Sequence, residues 1–167
     1  MTLHSGKVLS ASEMRLGRDS LDVGAKSLVF TNGGFDILHS GHVTYLEFAR
    51  ELGDALVVGL NSDRSVAQSK GPRRPINSEA DRARVLVSLR AVDFVVIFDE
   101  DEPKGIIEQI LPHILVKGRD WAHYVSGRDV VEAHGGKVVL ADMVEGRSTT
   151  NTIERVLRAY APDQGAV

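Results

Sequence analysis

The chain of 167 residues contains no cysteine, which excludes a disulfide framework and a zinc site built on thiolates. An excess of one charge is also missing, because 20 Lys and Arg stand against 23 Asp and Glu. Nucleic-acid binding driven by phosphate neutralisation is therefore not expected. No apolar run approaches the roughly 20 residues of a membrane-spanning helix, and residues 1–7 lack the apolar core of a secretory signal. These absences predict a cytoplasmic protein with no nucleic-acid partner and no membrane partner.

Short runs of Val, Ile and Leu alternate along the chain with segments whose apolar residues have helical spacing. Continuous apolar strands of this kind are typical of a parallel sheet that is covered by helices on both faces. The sequence therefore predicts an α/β protein with a single Rossmann-like, doubly wound domain and a five-stranded parallel sheet. The strands are expected at 27–31, 55–60, 93–98, 114–116 and 137–140. Helices are expected at 41–52, from 77 or 78 to about 89, at 104–110, at about 126–134, and from about 148 to 158.

The length suits one domain, which we place at 27–160. Residues 1–26 form an N-terminal arm, in which Ser10 and Glu13 have the spacing of a capping box and predict a short helix. Residues 161–167 are expected to be a flexible tail. Between the second strand and the next predicted helix, residues 69–75 are basic and contain Pro and Gly, which predicts a loop.

Ligands of doubly wound sheets bind at the edge formed by the carboxyl ends of the strands. Polar segments follow four of the five predicted strands, and three of the four contain glycine. They are 32–42 after the first strand, 61–63 after the second, 117–121 after the fourth and 146–150 after the fifth. We expect these segments to meet in one pocket.

His39 and His42 lie where the first helix should begin, so both imidazoles should lie on one face of its first turn. The free N–H groups and the positive end of the helix dipole favour an anion there. Gly33 and Gly34 allow the backbone to approach that anion closely. A polyphosphate fits best, with imidazole donors stabilising charge at phosphorus. A plain surface histidine pair, and a metal site shared with Asp36, are the alternatives.

Ser148, Thr149 and Thr150 follow Gly146 at a second helix start, where their hydroxyls can bind the distal phosphates of the same ligand. Simple capping of the helix by one of them is the alternative. In the 117–121 segment, Lys117 suits a phosphate and Asp120 suits ribose hydroxyls. Trp121, the single tryptophan, suits a base, unless it packs in the core instead.

Three basic residues, Lys70, Arg73 and Arg74, belong to the predicted loop and can close over phosphates. They can equally be a solvated run of charge. Arg82, early in the next helix, is either a phosphate clamp or a salt-bridge residue.

Together these residues resemble the cytidylyltransferase-like nucleotidyltransferase superfamily. Its H-x-G-H motif is matched at 39–42, and its S-T-T block is matched at 148–150. The segments 30–36, 74–77, 92–93 and 144–146 make the chain most similar to D-glycero-β-D-manno-heptose 1-phosphate adenylyltransferases. It departs from them at Gly34, where they usually have Cys, and at Arg119 and Trp121. Glycerol-3-phosphate cytidylyltransferases share most of the motifs, but they carry an Arg where this chain has Met143.

The resemblance implies a nucleotidyltransferase domain at 27–160 that transfers AMP from ATP, with Mg²⁺, to heptose 1-phosphate. The products would be pyrophosphate and ADP-heptose for lipopolysaccharide or another surface glycan. It also implies a homodimer and, because few residues precede the first strand, a separate heptose kinase. CTP-dependent transfer to glycerol phosphate, a nucleotide-binding regulatory module without turnover, and a metal-binding module remain as alternatives.

The resemblance assigns site residues in three groups and assigns no metal ligands. The catalytic group is His39, His42 and Lys70. The sugar-phosphate group is Asp36, Arg73 and Arg74. The nucleotide group is Thr31, Asn32, Gly33, Phe35, Gly41, Asn61, Asp63, Arg82, Lys117, Gly118, Asp120, Trp121, Ser148, Thr149 and Thr150.

Overall fold

A computed structural model describes residues 8–22, 27–142 and 144–161 of the protein. Five parallel strands form its sheet in the order β3-β2-β1-β4-β5, which confirms the predicted fold class. Four strands run one or two residues further toward their carboxyl ends than expected, so that residues assigned to the site belong to β1, β2 and β4. The strands are β1 Leu28–Gly33, β2 Ala55–Asn61, β3 Phe94–Phe98, β4 Ile114–Gly118 and β5 Lys137–Ala141.

Seven helices accompany the strands in the part of the chain that the structure describes. They are α1 Ala11–Asp22, α2 Ser40–Glu51, α3 Asp63–Lys70, α4 Glu79–Leu86, α5 Lys104–Ile110, α6 Arg128–Ala133 and α7 Thr149–Ala159. A single 3₁₀ turn, Arg119–Trp121, follows β4 directly. Within these described ranges no helix has both the length and the apolar character needed to cross a bilayer.

Helix α3 is absent from the sequence-based prediction, which placed a loop at its end. Ser62 caps this helix by accepting a hydrogen bond from the Ser65 N–H. Val66 is its large buried apolar residue, so the apolar period that marks the other helices is missing here. The predicted loop at 69–75 is therefore wrong at its first two residues, because Lys70 ends α3.

The core lies on both faces of the sheet because successive side chains of a strand point to opposite sides. In β1, Phe30 belongs to one buried cluster and Val29 to the other. Val85 on α4 is apolar but 49% exposed, since it lies one residue away from the buried Leu86. Helices cover the two faces through Leu46, Ala49 and Leu86 on the Val29 side, and through Met14, Ile107 and Val131 on the Phe30 side.

The N-terminal arm is packed against this core. Val8 forms a parallel bridge to Val95 in the edge strand β3, and Met14 of α1 is 1% exposed. The predicted capping box is confirmed, since the Glu13 N–H donates to Ser10 Oγ at 3.2 Å and the Ser10 N–H donates to Glu13 Oε2 at 2.8 Å. Of the predicted flexible tail, 162–167 lie outside the described residues, as does Met143.

Candidate active site

A cleft of about 160 Å³ opens at the carboxyl edge of the sheet, between the ends of β1 and β4. Two of the four polar segments, 32–42 and 117–121, contribute its walls, and α2 contributes the remainder. Segments 61–63 and 146–150 are not part of this lining, so the expectation that all four segments meet in one pocket is wrong for this cleft. The lining residues are Asn32, Gly33, Gly34, Phe35, His42, Tyr45, Lys117, Gly118, Asp120 and Trp121.

The two histidines stack at the start of α2. His39 is the N-cap residue in an extended conformation, and its Nδ1 accepts the His42 N–H at 3.4 Å. The ring centroids are 3.8 Å apart and the planes are 18° from parallel. This geometry confirms that a helix beginning at Ser40 brings both imidazoles to one face.

Burial keeps this pair neutral. It lowers the pKa of His42 to about 4, with a further contribution from the charge of His39. The pKa of His39 is lowered by burial and then by the positive charge of Arg147. Because Nδ1 of neutral His39 accepts a hydrogen bond, its proton is on Nε2. Nε2 of His39 and Nδ1 of His42 are buried and, among the described residues, have no hydrogen-bond partner.

Phe35 shapes the cleft next to the histidines. Its φ of 41° lies in the left-handed region that disfavours residues with a side chain. In this conformation its ring meets the edge of the His42 ring at a centroid distance of 5.3 Å. A Cβ at Gly33 would lie 3.0 Å from the Phe35 ring, so the residue before the turn has to be small. The predicted contact of Phe35 and Gly33 with a nucleotide stays a prediction.

Lys117 joins the ends of β4 and β1 across the cleft by donating to Asn32 Oδ1 at 2.5 Å. Burial lowers the pKa of Lys117 to about 8, and the carboxylate of Asp120 acts in the opposite direction. Nζ lies 6.0 Å from the centre of the Trp121 ring. Trp121 is 51% exposed, so core packing, the alternative considered for it, is wrong.

Below the cleft, Thr31 has a structural position. Its side chain is fully buried, and its hydroxyl pairs with Tyr45 Oη at 2.7 Å. Tyr45 Oη in turn donates to the Val116 carbonyl at 3.1 Å. The Thr31 hydroxyl therefore faces Tyr45 and not the cleft. The assignment of the Thr31 side chain to nucleotide binding is therefore wrong, because its hydroxyl is buried and hydrogen-bonded to Tyr45.

Arg82 also differs from its predicted role as a phosphate clamp, because its side chain is fully buried. It donates to three carbonyl oxygens and forms an ion pair with Asp63 at 2.7 Å. Arg82 is therefore a salt-bridge residue, which was the alternative interpretation of it. Asn61 and Asp63, predicted to touch nucleotide, serve as its partners. The carbonyl groups belong to Gly34, Asn61 and Asn77.

Asp36 also differs from its predicted role as a sugar-phosphate ligand, since its side chain is 1% exposed and cannot reach a sugar phosphate. Its carboxylate accepts from the Ile76 and Asn77 N–H groups and from Arg74 Nε at 2.6 Å. These hydrogen bonds lower its pKa against the opposing effect of burial, which is the largest single influence on it. Asp36 therefore anchors the basic loop beside the H-x-G-H segment.

The basic residues that were predicted to close over phosphates lie outside the cleft lining. Arg74 forms an ion pair with Asp36, which balances its positive charge. Lys70, at the end of α3, and Arg73 are both exposed. The structure does not bring Lys70 to the histidines, and its catalytic role stays a prediction.

The S-T-T block begins α7 beside the H-x-G-H segment. Ser148 is the N-cap and accepts the Asn151 N–H at 3.0 Å, so simple capping applies to this residue. Thr149 Oγ1 lies 3.5 Å from the Ile37 carbonyl. Phosphate binding by Thr149 and by the exposed Thr150 stays a prediction. The block lies outside the cleft lining but next to it.

Gly41, the third residue of H-x-G-H, is buried where the two segments meet. A Cβ at this position would lie 3.0 Å from the Cβ of Arg147 and 3.1 Å from Nδ1 of His39. Its assignment to the site therefore has a packing reason, because a larger residue would separate the S-T-T segment from the histidines.

Metal ligands do not gather at the site. No three His, Cys, Asp or Glu side chains of the described ranges come together as a metal centre. Asp120 is the carboxylate of the cleft lining. Mg²⁺ in nucleotide sites is commonly held by one or two carboxylates together with substrate phosphates. This donor set would fit Mg²⁺ that is held mainly by the phosphates of a ligand.

Sequence reasoning missed two residues of this site. Tyr45 lines the cleft and joins Thr31 to Val116, and its place three residues after His42 puts it on the same face of α2. Arg147 was not assigned to the site by the sequence. Its proximity to His39 depends on how α7 meets α2, which no local pattern reveals.

A family model described as cytidylyltransferase-like matches residues 30–159. The bifunctional protein HldE of Syntrophotalea carbinolica is 55% identical over 147 residues, which cover 86% of this chain and 30% of that protein. The chain thus spans about 30% of the length of this curated relative.

Two solved structures are similar in fold. A lipopolysaccharide core biosynthesis protein from Thermoplasma volcanium, 28% identical, has a TM-score of 0.60 over 74% of this chain and 100% of its own. A pantoate-beta-alanine ligase from Francisella tularensis, 15% identical, has a TM-score of 0.61 over 90% of this chain and 78% of its own, and supports the fold alone. With a family model matching most of its length and both motifs in place, the chain belongs to the cytidylyltransferase-like family of nucleotidyltransferases.

Proposed function

We propose that this domain transfers AMP from ATP to D-glycero-β-D-manno-heptose 1-phosphate and releases ADP-heptose and pyrophosphate. The observation that carries the proposal is the neutral, stacked histidine pair at the start of α2, beside a cleft that contains Lys117. Two of its buried ring nitrogens have no partner among the described residues, which suits contact with phosphate oxygens. The similarity to a protein of lipopolysaccharide core biosynthesis supports the choice of a sugar phosphate as acceptor.

In the proposed reaction, an anionic oxygen of the sugar phosphate attacks the α-phosphorus in line. The bond from that phosphorus to the bridging oxygen of the β-phosphate breaks, and its electron pair leaves with pyrophosphate. The attacking oxygen carries no proton, so no general base is required. The chain's task is positioning and charge stabilisation.

His39 Nε2–H and the ring of His42 would supply hydrogen bonds to oxygens at the reacting phosphate. Because burial holds both imidazoles rigidly against each other, they need no reorganisation when charge develops. Lys117 would attract the nucleotide, Asp120 would bind ribose hydroxyls, and Trp121 would stack on the base. Mg²⁺ would shield the phosphate charges as part of the ATP complex.

Further proposals follow from the resemblance alone. They are a homodimer in the cytoplasm and a kinase activity that supplies the heptose 1-phosphate. We also propose that Lys70 and Arg73 close over bound phosphates. The exposed positions of Lys70 and Arg73 are compatible with such closure.

A substrate panel tests the reaction. Heptose 1-phosphates, other sugar 1-phosphates and glycerol 3-phosphate would each be offered with ATP or CTP, and pyrophosphate release would be measured. The proposal expects the highest kcat/KM for ATP with the heptose. A preference for CTP with glycerol 3-phosphate would select the alternative enzyme. ATP binding without release on any acceptor would indicate a regulatory module.

The role of the histidines is tested by His39→Ala. We expect kcat to fall by about two to three orders of magnitude, as for the loss of one preorganised donor, while the Kd for ATP changes only a few-fold. His134→Ala is the control, since His134 is exposed on the far side of β5 from this motif. Collapse of ATP binding with an unchanged rate for the bound complex would contradict the catalytic role.

A further inference from the structure

Arg147 occupies the turn that leads into α7, directly against the H-x-G-H segment. Gly146 enters this turn at a φ of 70°, and the Arg147 N–H donates to the Val144 carbonyl at 3.4 Å. The Arg147 Cβ packs against Gly41, on the side of Gly41 that also faces the His39 ring. Its backbone position is thus set by contacts, while the side chain is exposed.

The charge of Arg147 has no acidic partner. Two other arginines discussed for this site are paired with carboxylates, Arg74 with Asp36 and Arg82 with Asp63. Within the described ranges no carboxylate forms an ion pair with Arg147. Its positive charge reaches His39 strongly enough to lower the pKa of that ring. An uncompensated cation beside two neutral hydrogen-bond donors is suited to an anion.

The groups of the site have a spatial order that identifies which part of the ligand this cation meets. Phe35 contacts His42, His42 stacks on His39, and Arg147 lies beyond His39. His42 lines the cleft with Lys117, whereas His39 and Arg147 do not. A nucleoside in the cleft would place its α-phosphate near His42, so the phosphates further along the chain extend toward His39 and Arg147.

We propose that Arg147 is a further catalytic residue, which binds the β- and γ-phosphates of the nucleoside triphosphate and neutralises pyrophosphate as it leaves. This inference rests on the proposed nucleotidyl transfer and adds a residue to it. When the bond between the α-phosphorus and the bridging oxygen breaks, the electron pair moves onto pyrophosphate, and the Arg147 guanidinium, whose charge acts at the His39 end of the site, would balance that charge. Two parallel N–H donors suit this group.

The test compares Arg147→Met, Arg147→Lys and the wild type. Arg155→Met is the matched control, because Arg155 is an exposed arginine further along the same helix. Calorimetry would give the Kd for ATP, AMP and inorganic pyrophosphate, and steady-state kinetics would give kcat and KM. AMP is the internal control, since it lacks the two phosphates that Arg147 is proposed to bind.

For Arg147→Met we expect ATP and pyrophosphate to bind about tenfold more weakly, with AMP within twofold of the wild type. The value of kcat should fall as well, Arg147→Lys should recover part of both losses, and Arg155→Met should resemble the wild type. Equal weakening of AMP and ATP would indicate a merely structural residue and overturn the proposal. Unchanged ATP and pyrophosphate affinities would also overturn it.

These binding measurements need no acceptor, so they separate the two proposals. If the wild type binds ATP and pyrophosphate but no sugar phosphate reacts, the proposed reaction is wrong. The Kd values of the wild type and Arg147→Met for ATP, pyrophosphate and AMP can still be compared in that case. If the wild type binds neither ATP nor pyrophosphate, both proposals are wrong.

Discussion

At the scale of single residues, burial lowers the pKa of two kinds of basic side chain at the cleft, histidine and lysine, with different consequences for their charge. It lowers the pKa of His42 to about 4, so this imidazole stays neutral throughout the neutral range. It lowers the pKa of Lys117 to about 8, so this ammonium loses its proton just above that range. The histidines therefore act as neutral donors, and Lys117 supplies a charge that depends on pH.

We expect kcat/KM for ATP to fall as the pH rises through about 8. In the proposed function, protonated Lys117 attracts phosphate in the free enzyme below that pKa, and kcat/KM should fall above it by about tenfold for each further pH unit. Lys117→Met should have a low kcat/KM that no longer falls in this range. A wild-type profile that stays flat from pH 7 to about 9.5, the interval in which the lysine should titrate, would contradict this role.

At the scale of elements, Arg82 connects α4 to the strand ends that form the site. Its guanidinium reaches the carbonyls of Gly34 after β1 and Asn61 at the end of β2, together with the carboxylate of Asp63 in α3. Because the Arg82 side chain is fully buried, the carbonyl groups to which it donates are shielded from water, whereas Asp63 is 46% exposed. The helix α4 thus fixes the turn that contains the glycines of the cleft.

Replacing Arg82 by Met should lower the free energy of unfolding by about 3 kcal/mol or more, since it leaves buried carbonyl groups without donors. Arg84→Met, on the exposed face of the same helix, should change it by less than about 0.5 kcal/mol. Urea denaturation monitored by circular dichroism would measure both. An unchanged stability combined with a weaker affinity for ATP would restore the phosphate-clamp interpretation of Arg82.

At the scale of the whole molecule, the N-terminal arm belongs to the same core as the nucleotidyltransferase fold. The family model begins at residue 30, yet Val8 extends the sheet at β3 and α1 packs on α5. Met14 is the buried anchor of this helix, whereas Leu16 is 70% exposed. The structural unit is therefore larger than the segment that the family shares.

We expect Met14→Ala to lower the free energy of unfolding by about 2–4 kcal/mol, because it leaves a cavity in the Phe30 side of the core. Leu16→Ala removes a similar apolar side chain from the exposed face and should cost less than about 0.5 kcal/mol. Chemical denaturation of the two variants would provide the comparison. Equal, small effects would mean that the arm is an appendage.

Several features could be predicted from local patterns alone. The structure has the predicted alternation of strands with helices, the helix start at Ser40 and the capping box of Ser10 and Glu13. Each of these features depends on neighbours within a few residues. Helix α3 could not be predicted in this way, because its capping residue Ser62 is present but its apolar period is weak.

The sequence by itself determined the sheet, its ligand-binding edge and the histidine pair, because short-range periodicity and parallel topology decide these. Only the tertiary structure decided which polar residues near that edge are free to meet a ligand. Asp36, Thr31 and Arg82 have the same chemistry as ligand-binding groups, but distant backbone and side-chain partners occupy them. Arg147 lies against Gly41 and its charge acts on His39, and no carboxylate of the described residues forms an ion pair with it. Burial and long-range pairing, which no local pattern encodes, make that distinction.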